Sequence, residues 1–281
     1  MTAAKSLLKL AKLCQAVYKS ADMFGSAVAR AISDRVEGLT FIKDKKTDTQ
    51  VGIILFNSPE KGMVEPVIVF RGTEVSSIKD WFTDLKVRLV SPFDQRLLVA
   101  KDIPEDVKVH RGFNEAAESV FERIVKVITP YSFDTVLVIG HSLGGALAQI
   151  TGYHLAKACF DVKVVTFGAP QVGNKSWAQD IKNMTCAQFI SVVNNNDFIP
   201  TMPPFDIITG YVDVGTLYLI TEGGKLAKNP TWWVRFQDSL HGRWNDLFEL
   251  GTDGFKDHRL DSENGDGYIP QLKKILAREN M

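Results

Sequence analysis

The twelve residues VIGHSLGGALAQ, 138–149, constrain the fold more than any other stretch of this chain. They continue an apolar, β-branched run that starts at Thr135 and is typical of a buried strand. From Gly144 onward, small residues and leucine at helical spacing predict a helix, so Ser142 falls on the turn between a strand and a helix. A nucleophile elbow, a phosphate-binding loop and close packing of small residues all use such a turn.

Strands and helices alternate through the middle of the sequence, which predicts an α/β fold with a mostly parallel central sheet flanked by helices. The predicted strands are 38–43, 50–56, 64–70, 107–110, 135–140, 162–167, 187–193 and 211–220. The predicted helices are 5–19, 113–128, 144–158, 175–183, one near 239–249, and 268–278. Active sites of such sheets lie at the carboxyl ends of the strands, where Ser142 and Asp197 both fall.

Composition narrows the class of protein. Of the 281 residues 45% are hydrophobic and 23% are charged, the balance of a soluble protein that buries a substantial core. Lys plus Arg equals Asp plus Glu at 33 each, so nothing indicates a nucleic-acid partner. No apolar run approaches the roughly 20 residues of a transmembrane helix. We expect a single domain over residues 1–281.

Lysines interrupt any apolar core in the first twenty residues, MTAAKSLLKLAKLCQAVYKS, so we expect no signal peptide. The default expectation is therefore a cytoplasmic location, and secretion by another route is not excluded. The three cysteines, Cys14, Cys159 and Cys186, cannot all pair and favour thiols in a reducing compartment.

The helix at 5–19 is amphipathic, with lysines on its polar side. It either caps the core, which we favour, or lies on an anionic membrane.

Residues 140–144, GHSLG, fit the pattern G-x-S-x-G. In a nucleophile elbow the serine takes a strained backbone conformation, and the residues two positions away must be small so that strand and helix approach closely. The backbone N–H of Leu143 then lies at a helix start, directed at a developing negative oxygen. The phosphate-loop interpretation fails because no G-K-[ST] follows.

A nucleophilic serine needs a base and a carboxylate that orients it, in the chain order serine, acid, histidine for this fold. Asp197 ends a strand after three asparagines and is preferred to Asp206 and Asp213 as the acid. His258 lies in the polar loop FKDHRLD before the last helix. We prefer it as the base to His241, which lies at a predicted helix start.

Beyond these patterns, the chain resembles the class 3 lipases, the family of the filamentous-fungus triacylglycerol lipases with an α/β-hydrolase fold. The matching segments occur in order: VIVFRGT (67–73), SSIKDWFTDL (76–85), VHRGFNEA (109–116), VIGHSLGGALA (138–148), VVTFGAPQVGN (164–174) and VVNNNDFIPTMPP (192–204). The resemblance implies Ser142 as the nucleophile, Asp197 as the orienting acid and His258 as the base.

The resemblance also implies an oxyanion hole formed by Thr73 and by the backbone of Leu143. It places Asp84 where the family has an acid that holds the oxyanion hydroxyl. One departure concerns the end of the chain: the family usually has a tyrosine a few residues after its histidine, whereas LDSENGDG intervenes here before Tyr268.

A lid over about residues 74–105 follows from the resemblance and from a short apolar stripe. Four residues at i, i+3, i+4 and i+7 share one face: Ile78, Trp81, Phe82 and Leu85. Burial against the core explains the stripe equally well. The case for a lid is its position directly after the oxyanion residue, since an exposed apolar face needs a partner to cover it.

The function implied is hydrolysis of carboxylic esters through an acyl-enzyme, most simply by a triacylglycerol lipase acting on lipid at an interface. A phospholipase or a small-ester esterase is the alternative, and a non-catalytic lipid-binding homologue is less favoured.

No cofactor or metal is required. The acidic turn DSENGDG lacks the spacing of an EF-hand and is interpreted as a solvated turn. Candidates to line an acyl pocket, equally explained as core, are Phe205, Ile207, Ile208, Trp232 and Trp233.

Overall fold

The computed structural model describes residues 2–32, 35–58, 63–72, 88–93, 102–195, 197–202, 210–230, 257–262 and 265–279. Several residues singled out by the sequence lie outside these stretches. They are Thr73, Asp84, Asp206, His241, the stripe Ile78, Trp81, Phe82 and Leu85, and the five candidates for an acyl pocket.

The sheet that carries the site has eight strands in the order β1-β2-β3-β6-β7-β9-β11-β12. Their bounds are β1 Val36–Lys43, β2 Gln50–Ser58, β3 Met63–Phe70, β6 Val136–His141, β7 Val162–Phe167, β9 Ala187–Asn194, β11 Thr216–Ile220 and β12 Leu226–Lys228. The five central strands from β3 to β11 are parallel, and antiparallel strands flank them at both edges. The predicted mostly parallel sheet is confirmed.

A second, small sheet has four strands in the order β10-β8-β5-β4. Each has two residues: β4 Leu89–Val90, β5 Val109–His110, β8 Gly173–Asn174 and β10 Tyr211–Val212. The predicted strand 211–220 is therefore two strands in two sheets. The break falls at Gly215, whose φ of 76° turns the chain and whose bare Cα lies against the backbone of Phe189.

The helices of the described residues cover both faces of the large sheet. Their bounds are α1 Ala3–Ala16, α2 Ala21–Ala31, α3 Arg111–Ile128, α4 Leu143–Lys157, α5 Lys175–Asn183 and α6 Tyr268–Glu279, with a 3₁₀ turn at Ile199–Thr201. One apolar core joins α3, α4 and α5 to the sheet, and a second joins α1, α2 and α6 to the opposite face. Adjacent strand residues point to opposite cores, as Val138 and Ile139 do.

The amino-terminal helix α1 packs on the core, as the favoured interpretation predicts. Its apolar side, including Leu7, Ala11 and Cys14, is buried and contacts α6, while Lys5 is exposed. The helix α2 that follows is not predicted by the sequence analysis. Gly25 in its interior lowers helix propensity, but Phe24 and Val28 are buried against the sheet and tertiary packing outweighs that cost.

The three cysteines are free thiols, with Cys14 buried, Cys186 half-buried and Cys159 exposed. Among the helices of the described residues, none combines the length and the apolar character that crossing a bilayer requires.

Candidate active site

Ser142 stands alone between the last residue of β6 and the first residue of α4. Its φ of 57° and ψ of −133° are costly for a residue with a side chain, and such strain concentrates at functional sites. Two hydrogen bonds fix the turn: the Ser142 N–H donates to the carbonyl of Phe167 at 2.9 Å, and the Gly145 N–H donates to the Ser142 carbonyl at 2.8 Å. The strained serine is thus held on a rigid strand–helix junction.

The glycines of G-x-S-x-G are required by close backbone contacts around this turn. A Cβ on Gly140 would overlap the backbone of Gly144, and a Cβ on Gly144 would overlap the carbonyl of Phe70 on the neighbouring strand. Helix α4 therefore approaches β6 and β3 more closely than any side chain at these two positions permits. This is the packing that the sequence pattern predicts.

His258 and Asp197 form a buried pair beyond the ends of the strands. The Nδ1 atom of His258 lies 2.9 Å from Oδ2 and 3.0 Å from Oδ1 of Asp197, and both side chains are fully buried. A carboxylate only accepts hydrogen bonds, so Nδ1 carries a proton, which leaves Nε2 as the nitrogen available to act as a base. Within the described part of the chain, no group hydrogen-bonds to Nε2.

Asp197 accepts two further hydrogen bonds. The hydroxyl of Tyr268 donates to Oδ2 at 2.6 Å, and the backbone N–H of Ile199 donates to Oδ1 at 3.0 Å. Burial, and then the negative charge of Asp197, hold the pKa of Tyr268 well above its usual value. Tyr268 therefore remains protonated and keeps donating, which fixes the carboxylate in its orientation toward His258.

Hydrogen bonds on both sides of Tyr268 place it close to His258. The hydroxyl oxygen of Ser262 accepts the backbone N–H groups of Asp266 at 2.9 Å and of Gly267 at 3.1 Å. The Tyr268 N–H donates to the carbonyl of Arg259, the residue after His258, at 3.0 Å.

Gly168, directly after β7, completes the surroundings of the pair. Its φ is 57°, and a Cβ there would lie 2.5 Å from Oδ2 of Asp197, 2.9 Å from Nδ1 of His258 and 2.9 Å from the Tyr268 hydroxyl. The site has no room for a larger residue at this position.

The elbow and the pair are joined through His141, the residue before the serine. Its ring centroid lies 4.7 Å from that of His258, and its Nε2 lies 2.6 Å from the His258 carbonyl. Asn194 holds the same segment from β9, since its side-chain amide donates to the carbonyls of Asp257 at 2.8 Å and Asp266 at 2.7 Å. The structure thus brings the three predicted residues to one end of the sheet.

Two other candidates can be located. Leu143 is the first residue of α4, so its backbone N–H has no acceptor within the helix and points out of the helix start beside Ser142. Asp213 lines a groove beside the start of β9, Ala187–Phe189, whereas Asp197 follows the end of that strand. Asp213 therefore does not belong to this site.

Sequence reasoning missed the roles of four polar residues: Tyr18, His141, Asn194 and Tyr268. Tyr18 lies within the predicted amphipathic helix 5–19, which gives it no polar role, and His141 is only an unspecified position of G-x-S-x-G. For Asn194 a signal existed, because three asparagines after a buried strand are unusual unless their amides have partners. Tyr268 was expected from the resemblance but nearer to the histidine.

The arrangement has the parts of acyl-transfer chemistry: a strained serine at a helix start and an oriented imidazole–carboxylate pair. Nowhere in the described ranges do three or more metal-ligating side chains cluster, although Glu263 of the acidic turn lies outside them.

Comparison with known proteins agrees with this geometry. A secreted mono- and diacylglycerol lipase from Fusarium solani is 30% identical over 187 residues, which are 65% of this chain and 52% of the relative. A phospholipase A1-II from Oryza sativa subsp. indica is 27% identical over 209 residues, covering 64% of this chain and 50% of the relative. The chain spans about half the length of the curated relatives it matches.

Among solved structures, a triacylglycerol lipase from Penicillium expansum superposes with a TM-score of 0.62 at 25% identity, covering 82% of this chain and 84% of that one. The predicted α/β-hydrolase fold is confirmed. The family model "Lipase (class 3)" matches residues 67–207, which are half of the chain and include the elbow and Asp197. This protein therefore belongs to the class 3 lipase family.

Proposed function

We propose that this chain is a serine hydrolase of carboxylic esters that acts as an acylglycerol lipase. The observation that carries the proposal is the combination of Ser142 in a strained elbow with the buried His258–Asp197 pair at the same end of the sheet. Membership of the class 3 lipases supports the same activity. A protein that only bound lipid would not need the strained serine, whose backbone costs free energy.

The proposed reaction has two steps. Oγ of Ser142 attacks the ester carbonyl while Nε2 of His258 takes the serine proton and then passes it to the leaving alcohol. Water next gives a proton to the same nitrogen and attacks the acyl-serine, which releases the fatty acid and restores the hydroxyl. Asp197 stabilises the imidazolium that forms in both steps and holds the ring in the required tautomer.

The tetrahedral oxyanion needs donors at the start of α4. We assign one donor to the backbone N–H of Leu143 and the other to Thr73, with Asp84 supporting the Thr73 hydroxyl. The apolar stripe of Ile78, Trp81, Phe82 and Leu85 is proposed as a lid, within about residues 74–105, that covers Ser142 in water and opens at a lipid surface.

The first test is replacement of the nucleophile. Ser142→Ala should abolish hydrolysis and covalent labelling by a fluorophosphonate, while the thermal midpoint of unfolding changes little. Ser119→Ala is the matched control, because Ser119 is half-buried on α3 and donates to the Ala116 carbonyl away from the site. Hydrolysis or labelling that survives in Ser142→Ala would overturn the assignment.

The second test addresses the substrate. Relatives are named mono- and diacylglycerol lipases, triacylglycerol lipase and phospholipase A1, so each of these lipid classes is assayed below and above the concentration at which it aggregates. A rate jump on acylglycerol droplets supports a lipase with an interfacial lid. Preference for phospholipid vesicles favours the phospholipase alternative, and simple saturation on dissolved short-chain esters favours an esterase.

Location is open to a separate test. The names of several relatives favour secretion over the cytoplasmic default. The free thiols, of which Cys159 is exposed, favour a reducing compartment instead. Fractionation of cells into cytosol and medium, with the protein detected by fluorophosphonate labelling, decides between the two.

A further inference from the structure

His141 forms a hydrogen bond at each of its ring nitrogens, although it lies outside the proposed triad. Its Nε2 is 2.6 Å from the carbonyl oxygen of His258, and its Nδ1 is 2.9 Å from the hydroxyl of Tyr18, which lies in the turn directly after α1. His141 itself is buried. A residue beside the nucleophile thus links the amino-terminal helix to the backbone of the base.

The direction of these hydrogen bonds follows from chemistry. A carbonyl oxygen only accepts, so Nε2 of His141 carries a proton. Burial, and then the nearby His258, hold the pKa of His141 well below its usual value, so the ring is neutral and has only that one proton. Nδ1 therefore accepts, and the Tyr18 hydroxyl donates to it. The result is a directed chain from Tyr18 through His141 to the His258 carbonyl.

The same carbonyl belongs to a segment that is held at four consecutive positions. The Asp257 carbonyl accepts from the Asn194 side chain. The Arg259 and Leu260 carbonyls accept from the backbone N–H groups of Tyr268 and Ile269. At the His258 carbonyl alone, the donor is an imidazole, whose proton can sit on either nitrogen. The His258 carbonyl requires the proton on Nε2, and the Tyr18 hydroxyl supports that tautomer by donating to Nδ1, the acceptor that it leaves buried.

We propose that Tyr18 and His141 are positioning residues: Tyr18 supports the tautomer of His141 that donates from Nε2, and His141 holds the backbone of His258 so that its imidazole faces Ser142. This inference rests on the proposed function. Without the Tyr18 hydroxyl, the buried Nδ1 loses the donor that satisfies it in this tautomer, so the tautomer costs more free energy and its hydrogen bond to the His258 carbonyl is weakened. The base segment would shift away from the nucleophile, and small shifts of catalytic groups cost rate steeply.

The surroundings of the Tyr18 hydroxyl favour this role. A Cβ on Gly72 would lie 2.5 Å from that hydroxyl and 3.2 Å from the Cβ of Ser142. The hydroxyl and Ser142 therefore both lie beside Gly72, the residue that precedes Thr73. The Tyr18 ring also packs edge-on against His141 at 6.0 Å and under the Arg71 guanidinium at 5.5 Å. These ring contacts would remain in Tyr18→Phe, which removes the hydroxyl alone.

The experiment compares Tyr18→Phe with Tyr153→Phe. Both lose a tyrosine hydroxyl with a side-chain partner, but the Tyr153 hydroxyl binds Asp180 at 2.6 Å in another part of the fold. On a soluble short-chain ester, Tyr18→Phe should lower kcat about tenfold at unchanged KM and slow fluorophosphonate labelling similarly. Tyr153→Phe should keep kcat. Equal kcat for Tyr18→Phe and wild type, or a loss only of thermal stability, would overturn the inference.

A double-mutant cycle tests the route through His141. His141→Gln keeps a donor for the His258 carbonyl, and an amide NH₂ is a donor whether or not Tyr18 is present. When His141→Gln is already in place, the further change Tyr18→Phe should therefore cost kcat no more than about twofold. A full tenfold loss there would show that Tyr18 acts by another route and overturn the inference. If wild type neither hydrolyses esters nor reacts with the fluorophosphonate, the proposed function itself fails, which is a distinguishable result.

Discussion

Among the described residues, two tyrosine–aspartate hydrogen bonds have the same length but different surroundings. The hydroxyl of Tyr268 donates to Asp197 at 2.6 Å beyond the strand ends, and the hydroxyl of Tyr153 donates to Asp180 at 2.6 Å between α4 and α5. The two pairs differ in the group that the aspartate binds besides the tyrosine. Asp197 holds the imidazole of His258 at 2.9 Å, whereas Asp180 holds the ammonium of Lys157 at 2.8 Å.

What such a tyrosine–aspartate pair can do depends on the side chain that the aspartate also binds, an imidazole in one case and an ammonium in the other. The Lys157 ammonium has no lone pair, so the Tyr153–Asp180–Lys157 cluster can only tie two helices together. Nε2 of His258, which has no hydrogen-bond partner among the described residues, can take a proton from a neighbour. A hydrogen bond of the same length is therefore structural in one place, while in the other it supports the chemistry that we propose.

The largest expected difference comes from replacing the two acids. Asp197→Asn should lower kcat about 10⁴-fold, because the amide no longer fixes the His258 tautomer. Asp180→Asn should keep kcat and lower the free energy of unfolding by about 3 kcal/mol, since Lys157 loses its charge partner in a mostly buried site. Ester hydrolysis and urea unfolding measure the two effects. Equal kcat losses would erase the distinction.

The next largest effect is expected from filling the space beside the His258–Asp197 pair. Gly168→Ala places a methyl group against Asp197 and His258 and should lower kcat about 100-fold. Gly152→Ala on α4 is the control, because its methyl group would overlap Val164 in the core and should reduce stability without changing the chemistry. Kinetics and thermal unfolding of both variants provide the comparison, and unchanged kcat in Gly168→Ala would count against the proposed acid–base pair.

A smaller effect is expected from the hydroxyl that supports the acid. Tyr268→Phe removes one hydrogen bond to a carboxylate that keeps its bond from Ile199, so kcat should fall about tenfold. Tyr153→Phe again serves as the control for stability alone. If the two variants had the same kcat, Tyr268 would be a packing residue.

The smallest effect concerns how stability depends on pH, through two buried histidines outside the candidate site, His110 and His154. Burial lowers the pKa of His154 to about 3 and that of His110 to about 4. Below the unfolded pKa of about 6.5 the unfolded chain binds protons that the folded chain does not, so stability falls as pH falls from 6.5 toward 4.

His154→Phe should therefore reduce the slope of unfolding free energy against pH by about 1.4 kcal/mol per pH unit near pH 5. His110→Asn, which retains a side chain able to cap α3, should do the same. Chemical denaturation at several pH values measures the slope, and an unchanged slope in both variants would contradict the buried neutral state of these rings.

Much of the fold could be predicted because its signals are local. Apolar runs indicated the central strands, and helical spacing indicated α3, α4, α5 and α6 to within a few residues. Helix α2 was missed because its propensity is weakened by Gly25 and its apolar residues matter only once they meet the sheet. The divided strand at 211–220 was missed because its two halves pair with different partners.

The site could be predicted in part for the same reason. The prediction of Ser142 rests on a five-residue pattern, and those of Asp197 and His258 rest on chain order, on their positions after a strand and before the last helix, and on the family resemblance; their roles stay predictions. Tyr18, by contrast, is 123 residues from His141 along the chain, and Asn194 is 63 residues from Asp257. No local pattern marks such contacts.

The sequence by itself thus determined the strand–helix turn at Ser142 and the parallel sheet, because both depend on spacing along the chain or on the period of a strand or helix. Tertiary structure alone decided which polar groups bond to one another. It directed Tyr268 to Asp197 rather than to solvent, and it gave His141 a hydrogen bond at each nitrogen while His154, equally buried, has none within the described residues. The physical reason is that hydrogen bonds require atoms within about 3 Å, and only the packed sheet brings distant segments that close.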